Sequence, residues 1–406
     1  MRTVVRCLLL ATFVTAASSA EDWPDFRGPH RDGRSAEAVA PSWGEGGPTV
    51  IWDKPVGAGF SNPVVAHGRV IVFHRLGGEE VIEALEAATG KTVWKFSYPT
   101  TYRDGFGFDP GPRASPVVAG GQVYTFGAEG VMTCVSFATG KKIWQRTLNQ
   151  EYGVQKGYFG AGATPLADGS RLFLNLGGAD GAGIVALDKD TGRELWKALD
   201  HDASYASPVL AKLHGEPRVI FFTREGIVLT TPEGKVVFEK RWRARMDASV
   251  NAAAPLVDGD IVFFSASYGT GAIALDFSQG DEPVELWSGE DGLTNHYAAA
   301  VLSDGVLYGY HGRQEYGPSL RAVELRTGKV LWNEDGFGAG TVTLAGDTLI
   351  LMREKGELVT AKADPKAFRP LARAQVLPTV VRAYPALADG TLYVRDEKTL
   401  VALRLR

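Results

Sequence analysis

Short runs of alternating or β-branched apolar residues recur along the chain, separated by turns that contain Gly or Asp. The stretch 113–148 reads as four such runs, SPVV, VYTFG, VMTCVSF and KIWQRTL, joined by the turns AGGQ, AEG and ATGK. Runs of this length bounded by turn residues are typical of β-strands. The pattern predicts a four-stranded antiparallel meander.

The first run of this unit occurs eight times. Clear copies are SNPVV, ASPVV, ATPLA, ASPVL and AAPLV, and weaker copies are AAAVL, GTVTL and YPALA. A tight turn follows each copy, so the chain contains eight units. Residues Pro48–Arg406 number 359, which is about 45 per unit and suits one blade of a β-propeller.

The last unit is one strand short, because the chain ends at VALRLR. The segment 49–56, TVIWDKPV, carries Trp52 and precedes the first unit, so it can supply the missing strand. Pairing of the two chain ends would close a ring and remove both free sheet edges. We therefore predict an all-β, eight-bladed β-propeller over residues 48–406, preceded by an N-terminal extension over 21–47.

Residues 1–20 have the pattern of a secretory signal peptide. Two arginines precede an apolar run, which ends in the small residues Ser18, Ser19 and Ala20. The apolar run is too short to span a bilayer. We expect cleavage after Ala20 and an exported protein, periplasmic or secreted, with no integral membrane span.

Charge and cysteine content narrow the classes of partner. Removing residues 1–20 leaves 41 basic against 47 acidic residues, a net charge of −6. No Lys/Arg face is evident, so nucleic acid is not expected as a partner. Cys134 is the one cysteine left, which excludes an intrachain disulfide in the mature chain. We expect a monomer.

A Thr-Gly turn followed by a Trp recurs in the second half of the units, for example in EALEAATGKTVW at 83–94. The turn requires a positive φ, which Gly adopts without steric cost. The Trp falls on the outermost strand, where it is expected to fill the gap between blades. We interpret these positions as structural: Gly90, Trp94, Gly140, Trp144, Gly192, Trp196, Gly328 and Trp332, with Trp287 and Trp52 as further copies.

The motif A-L-[DE]-x-x-T-G-[KR]-x-[LV]-W, seen at Ala186–Trp196, closely resembles the pyrroloquinoline quinone (PQQ)-like repeat of quinoprotein-type β-propellers. The resemblance covers essentially the whole mature chain. That family includes PQQ dehydrogenases and the non-enzymatic BamB-type propeller of outer-membrane barrel assembly, so it implies a fold and leaves the function open. The segment 21–35, EDWPDFRGPHRDGRS, resembles the W-P-x-F-R-G-P-x-x-D-G opening of a group of exported bacterial propellers.

The loops that precede the first strand of each unit are the candidate binding region, because they should converge at one mouth of the central channel. Three of them, at 101–113, 151–160 and 242–251, are long and rich in polar and aromatic residues. The candidate ligand- or partner-binding residues are Arg103, Asp104, Arg113, Tyr158, Tyr205, Asn251, Asn295, His296, Arg382 and Tyr384.

Motifs for catalysis or metal binding are missing from the sequence. The seven His are scattered, DKDTGRE lacks the bidentate Glu of a calcium loop, and no G-x-S-x-G occurs. The resemblance to PQQ dehydrogenases would imply calcium ligands, a catalytic Asp and a vicinal disulfide, for which the cysteines are absent. We expect no catalytic residue, metal or cofactor, and a binding or scaffold module for a protein, small molecule or glycan. The alternatives are a dehydrogenase of alcohols or sugars that uses PQQ and Ca²⁺, and an accessory protein that binds polysaccharide or peptide.

Overall fold

The computed structural model describes residues 21–155, 157–378 and 380–406. Within these residues the chain forms eight β-sheets that are the blades of a propeller, as predicted. The expected signal peptide, residues 1–20, lies outside the described residues. Nowhere in the described part of the chain is there a helix of the length and apolar character needed to cross a membrane.

The strands are numbered in chain order. The first ten are β1 (Arg34–Ser35), β2 (Thr49–Pro55), β3 (Val64–Ala66), β4 (Arg69–Leu76), β5 (Glu79–Glu86), β6 (Thr92–Pro99), β7 (Val117–Ala119), β8 (Gln122–Phe126), β9 (Val131–Ser136) and β10 (Lys142–Thr147). The next twelve are β11 (Leu166–Asp168), β12 (Arg171–Asn175), β13 (Ile184–Asp188), β14 (Glu194–Ala198), β15 (Val209–Leu213), β16 (Glu216–Phe222), β17 (Gly226–Thr230), β18 (Val236–Arg241), β19 (Leu256–Asp258), β20 (Ile261–Ala266), β21 (Gly271–Asp276) and β22 (Val284–Gly289). The last eleven are β23 (Val301–Ser303), β24 (Val306–His311), β25 (Ser319–Glu324), β26 (Val330–Glu334), β27 (Gly340–Ala345), β28 (Thr348–Arg353), β29 (Glu357–Lys362), β30 (Arg369–Gln375), β31 (Ala386–Ala388), β32 (Thr391–Arg395) and β33 (Thr399–Arg404). The short helices are α1 (Leu148–Glu151) and a 3-10 turn (Gln314–Tyr316).

Blade 1 consists of β3–β6, and each later blade takes the next four strands up to blade 7. Blade 8 has the order β2-β33-β32-β31, with Trp52 opposite Ala402. The prediction that the N-terminal strand completes the C-terminal blade is therefore confirmed. Blade 7 carries an unpredicted fifth strand, because β1 pairs in parallel with β27, placing Arg34 beside Leu344.

The repeated tryptophans lie between neighbouring blades. The indole Nε1 of Trp94 donates a hydrogen bond to the carbonyl of Phe137 in the next blade, at 2.9 Å. The same ring covers the glycine of that turn, because a Cβ on Gly140 would lie 2.5 Å from it. The glycine thus combines a positive φ with the absence of a side chain beneath the indole. Equivalent pairs are Trp52 with Gly90, Trp144 with Gly192, Trp196 with Gly234 and Trp287 with Gly328.

The central channel is filled by residues 22–37, here called the plug. Trp23 is 1% exposed and exchanges two backbone hydrogen bonds of 2.8 Å with Val65 of blade 1. The carbonyl of Pro24 accepts a hydrogen bond of 2.8 Å from the backbone nitrogen of Val118 in blade 2. The residues that resemble a family signature therefore form part of the core, which the sequence did not predict.

Two buried arginines of the plug hold the opposite side of the ring. Arg31 donates to the carbonyl of Pro208 at the start of blade 4, at 2.8 Å, and to the carbonyl of Pro165 at the start of blade 3. Arg27 donates to the carbonyl of Ala300 beside blade 6. Each guanidinium carries several donors in a fixed plane, so one side chain can satisfy carbonyls from separate blades.

The plug contacts the remaining blades through the ring of Phe26, the backbone of Gly33 and the carboxylate of Glu37. Phe26 packs against the alanines that precede blades 5 and 6. The carbonyl of Gly33 accepts from the backbone nitrogen of Leu344 in blade 7 at 2.9 Å. The carboxylate of Glu37 accepts from Gly390 of blade 8 at 2.6 Å. The plug therefore contacts all eight blades.

The turns between first and second strands, such as 67–68 and 389–390, define the lower face of the ring. The loops that precede the first strands, such as 101–113, define the upper face. The plug begins and ends beside lower-face turns, since Asp22 accepts from the backbone nitrogen of His67 and Glu37 from that of Gly390. The channel is therefore filled from below, and its upper mouth remains open.

A buried carboxylate connects blade 1 to blade 8. Glu83 of β5 is 2% exposed and lies 3.2 Å from the ammonium of Lys54 in β2 and 3.3 Å from that of Lys95. Burial alone would raise the pKa of Glu83, but the imidazole of His74 at 3.4 Å, a hydrogen bond from Thr92 and the two ammonium groups lower it to about 2.

This lowered pKa predicts a loss of stability in acid. A carboxyl whose pKa is lower in the fold than its ordinary value of 4.5 stabilises the fold above pH 4.5, and that contribution is lost as the pH falls toward 2. We expect Glu83→Gln to lower the free energy of unfolding at pH 7 by about 1–2 kcal/mol. Urea unfolding should show this difference shrinking between pH 4.5 and 2. An exposed carboxylate on the same strand, Glu79→Gln, is the control, and a difference for Glu83→Gln that did not change with pH would contradict the assignment.

Candidate functional site

The upper mouth of the channel is a cavity of about 210 Å³ walled mainly by aromatic rings and two arginines. Phe26 of the plug and Tyr384 form its floor, with ring centroids 5.6 Å apart in an edge-on arrangement. Five of the ten predicted residues line this cavity. They are Arg113, Tyr205, His296, Arg382 and Tyr384.

The two arginines lie around one aromatic ring. The guanidinium carbons of Arg113 and Arg382 are 5.9 Å and 5.0 Å from the centroid of Phe60, which is within the range of a cation–π contact. Arg113 forms an ion pair with Asp104, and the Nε of Arg382 lies 3.0 Å from a carboxylate oxygen of Glu354. Each cation is therefore held by a carboxylate before any partner binds.

His296 contributes a neutral ring to the mouth. Burial is the main cause that lowers its pKa to about 4. Its Nδ1 accepts from the backbone nitrogen of Gln314 at 3.4 Å, and its Nε2 lies 2.7 Å from the hydroxyl of Tyr268. With Nδ1 accepting, the neutral ring carries its proton on Nε2 and donates it to Tyr268.

Two of the three predicted tyrosines, Tyr205 and Tyr384, line the mouth, and their hydroxyls are hydrogen-bonded. The hydroxyl of Tyr205 accepts from the backbone nitrogen of Phe159 at 2.8 Å, and burial raises the pKa of Tyr205 to about 12. The hydroxyl of Tyr384 accepts from the backbone nitrogen of Ala299 at 2.6 Å. Both phenols stay protonated at neutral pH and give the mouth shape rather than charge.

Asn251 and Asn295 do not line the mouth. The Nδ2 of Asn251 donates to the carbonyl of Thr223 at 2.8 Å, and the Nδ2 of Asn295 donates to the carbonyl of Tyr310 at 2.9 Å. Both side chains are buried. Their amides satisfy backbone groups of neighbouring loops, which is the usual role of a buried polar side chain.

Arg103 and Tyr158 line a different cavity on the upper face, with a volume of about 1020 Å³. Tyr205 belongs to the walls of both cavities. The hydroxyl of Tyr158 donates to the carbonyl of Asp247 at 3.0 Å, and its ring contacts the guanidinium of Arg224. The ten predicted residues are thus divided between the mouth, this side cavity and the loop interiors.

The sequence did not single out the exposed aromatic and apolar residues around the mouth. Phe106 and Tyr316 are 59% and 78% exposed, and all the members lie on loops of the upper face. The only signal for them is an apolar residue inside a polar or Gly-rich loop, as in GFGFDPG and RQEYG. Phe108 lines the mouth and packs against Phe106, and the loops of the other members also contribute lining residues. We call this set the exposed rim: Phe106, Phe108, Met246, Tyr316 and Val380.

The donors around the mouth do not fit the calcium that accompanies PQQ in the dehydrogenase alternative. Among the described residues, no three His, Cys, Asp or Glu lie close enough together to hold a metal ion. Three carboxylates on or beside the mouth are each paired with an arginine: Asp104 with Arg113, Glu354 with Arg382, and Glu315 with Arg313.

The chain is similar to assembly factors and, over a shorter stretch, to a dehydrogenase. It is 24% identical over 328 residues to the outer membrane protein assembly factor BamB of Burkholderia pseudomallei (strain K96243), covering 69% of this chain and 81% of that protein. It is 27% identical over 151 residues to the quinoprotein alcohol dehydrogenase PedH of Pseudomonas putida, covering 35% of this chain and 23% of that protein.

Among the solved structures that share the fold is one that covers nearly the whole chain. It is the crystal structure of the quinohemoprotein alcohol dehydrogenase from Comamonas testosteroni, with a TM-score of 0.72, 15% identity, and coverage of 96% of this chain and 81% of that chain. The sequence profile of the family described as outer membrane protein assembly factor BamB matches residues 78–315, from blade 1 into blade 6. The predicted PQQ-like repeat is thereby confirmed, and the chain belongs to the family described as outer membrane protein assembly factor BamB.

Proposed function

We propose that this protein is a non-catalytic binding module that holds a protein partner at the upper mouth of its channel. The observation that carries the proposal is the exposed rim around a cavity closed below by the plug. The rings of Phe106, Phe108 and Phe159 lie 5.4–6.3 Å apart and form one aromatic cluster at this face. Exposed apolar clusters mark interaction surfaces. The similarity to proteins named assembly factors supports a protein partner.

The size of the mouth favours a projecting side chain or loop over a free ligand. Its volume of about 210 Å³ is below the range of about 300–1,000 Å³ that is usual for small-molecule pockets. An apolar group of a partner would pack on Phe60, Phe108 and Phe159 inside the mouth. Arg113 and Arg382 are already held in place, so little side-chain conformational entropy is lost when a partner binds them.

The larger side cavity supports a second candidate, an accessory protein that binds polysaccharide or peptide. Its lining combines Arg103, Tyr158 and Arg224 with amide and hydroxyl groups. Aromatic faces beside hydrogen-bonding groups suit an extended polar ligand. Saturable binding of a glycan, lost in Tyr158→Ala and kept when the rim is altered, would favour this candidate over the first.

We further propose that the protein is exported through a signal peptide at residues 1–20, cleaved after Ala20. The mature chain then consists of the extension 21–47 and the propeller 48–406, acting as a monomer without a nucleic-acid partner. The apolar run after Arg2 and Arg6 and the small residues before Glu21 support this proposal.

The rim predicts where partner binding can be broken without harming the fold. We expect Phe106→Ala with Tyr316→Ala to weaken binding of the partner by about 10- to 100-fold, because exposed aromatic anchors carry much of the energy of an interface. The melting temperature should stay within about 1 °C, since both rings are largely exposed. The affinity is measured by titration with the purified partner, identified by photo-crosslinking from position 108 in exporting cells.

Val284→Ala is the matched control, because Val284 is 57% exposed on the outer strand β22, away from the mouth. Equal loss of affinity in this control, or none in the rim variant, would contradict the proposal. Stabilisation by PQQ with Ca²⁺, together with dye-linked oxidation of an alcohol or sugar, would favour the dehydrogenase. Substitutions at Arg113 or Tyr205 are less informative, since both brace upper loops.

A further inference from the structure

The backbone of Glu21 is held at the seam between blade 8 and blade 1. Its carboxylate accepts hydrogen bonds from the backbone nitrogen of Ala36 at 3.2 Å and from the hydroxyl of Ser35 at 3.4 Å. Two residues later, Trp23 is paired with blade 1. The backbone nitrogen of Glu21 consequently points at Oε1 of Glu37, at 3.1 Å.

Glu37 is a buried carboxylate that lacks a cation. It is 1% exposed, and its oxygens accept from the backbone nitrogens of Asp389 at 2.7 Å and Gly390 at 2.6 Å. No lysine, arginine or histidine in the described ranges forms an ion pair with it. Buried charges in proteins are normally paired, because removing an ion from water is costly. A cation in place of one of these backbone donors would therefore stabilise the buried carboxylate.

We propose that Glu37 is a binding site for the α-ammonium of Glu21, which is created when the signal peptide is removed. This inference rests on the cleavage after Ala20 proposed above. Hydrolysis of the peptide bond between residues 20 and 21 consumes one water and leaves a carboxylate on Ala20 and an amine on Glu21, which is protonated at neutral pH. The nitrogen that donates one neutral hydrogen bond in the precursor becomes a cation with three donors.

This ion pair would join the parts of the plug that hold blade 8 and blade 1. Glu37 holds the first turn of blade 8, while Trp23, two residues from the new terminus, holds the first strand of blade 1. The ion pair would fasten the plug across the boundary between blade 1 and blade 8, the blade in which the two chain ends pair. Charge-assisted hydrogen bonds are roughly twice as strong as neutral ones. Removal of the signal peptide would therefore strengthen the attachment of the plug to blades 8 and 1.

A cavity lies beside Glu21 on the lower face. It has a volume of about 680 Å³ and is lined by Glu21 and Asp22 on one side and by Arg404 and Arg406 on the other. This space beside Glu21 can accommodate residues added ahead of it without moving the backbone nitrogen away from Glu37. The difference between the two forms is then the charge on that nitrogen.

The test compares two forms of the protein. One is the exported chain, whose first residue is determined by mass spectrometry. The other carries Gly-Ser ahead of Glu21, left by removal of a fusion partner that replaces residues 1–20. We expect the α-amine of the first form to react with an acylating reagent at least about tenfold more slowly than that of the extended form. We also expect the extension to lower the melting temperature by about 4 °C.

Glu37→Gln separates the ion pair from other effects of the extension. In this variant the extension should leave the melting temperature unchanged and the two amines should react at similar rates, whereas Asp22→Asn should keep both differences. If Glu37→Gln does not fold, the amine reactivity of the two wild-type forms decides alone. Equal reactivity and equal melting temperatures of those forms would overturn the ion pair. An exported chain that begins elsewhere would instead overturn the cleavage after Ala20, and with it the biological role.

Discussion

Trp23→Ala is expected to lower the free energy of unfolding by about 3–5 kcal/mol, which is the usual cost of removing a buried indole. The ring is 1% exposed and packs in the cluster that joins blades 7, 8 and 1. Gly28 lies against its face, since a Cβ there would be 3.0 Å from the ring. The cavity left behind would weaken the plug at the point where the propeller closes. Urea unfolding followed by circular dichroism measures the effect.

Trp43→Ala is the control for this prediction. Trp43 also belongs to the N-terminal extension and packs on the same cluster, but it is only partly buried and lies outside the plug. Its loss should cost about 1 kcal/mol. Equal effects of the two substitutions would show that the plug contributes no more to stability than the rest of the extension.

Gly140→Ala is expected to lower the free energy of unfolding by about 2–5 kcal/mol, although it adds only one methyl group. Gly140 has φ of 71°, a conformation that costs an L-residue roughly 1–2 kcal/mol. The added Cβ would also lie 2.5 Å from the ring of Trp94, and overpacking of this kind costs about 1–3 kcal/mol. The substitution should displace the indole and break its hydrogen bond to Phe137. The readouts are the unfolding free energy and the fluorescence of the protein.

Gly121→Ala separates the two causes in the same blade. Gly121 has φ of 75°, but no atom lies within 4 Å of an added Cβ. This variant should lose only the backbone contribution, about 1–2 kcal/mol. If Gly140→Ala were no more destabilising than Gly121→Ala, the contact between glycine and tryptophan would not matter for stability.

Much of the fold could be predicted because the information for a blade is local. The strands of one blade are joined by short turns, so periodic apolar runs and turn residues indicate the pairing within it. The eightfold repetition then indicates the ring. Even ring closure could be predicted, since Trp52 marks a stray outer strand at the opposite end of the chain from the incomplete unit.

The candidate site was predictable only as a region. Loop position placed Arg113, His296 and Arg382 around the mouth, because every first strand lines the channel. The same reasoning failed to separate them from Asn251 and Asn295, whose amides turn inward to backbone carbonyls. Side-chain direction in an irregular loop depends on which backbone groups need a partner, and a single sequence does not show that.

By itself, the sequence determined the class of the fold, the number of blades, the closing strand and the turns that need glycine. Each of these follows from residue types repeated at short spacing, which local sterics and strand periodicity convert into structure. Only the tertiary structure decided the role of residues 22–37. The guanidinium of Arg27 reaches a carbonyl 273 residues away, and the carboxylate of Glu37 reaches backbone nitrogens more than 350 residues away. Those partners are backbone groups, which every residue possesses, so no pattern of side chains could have indicated them.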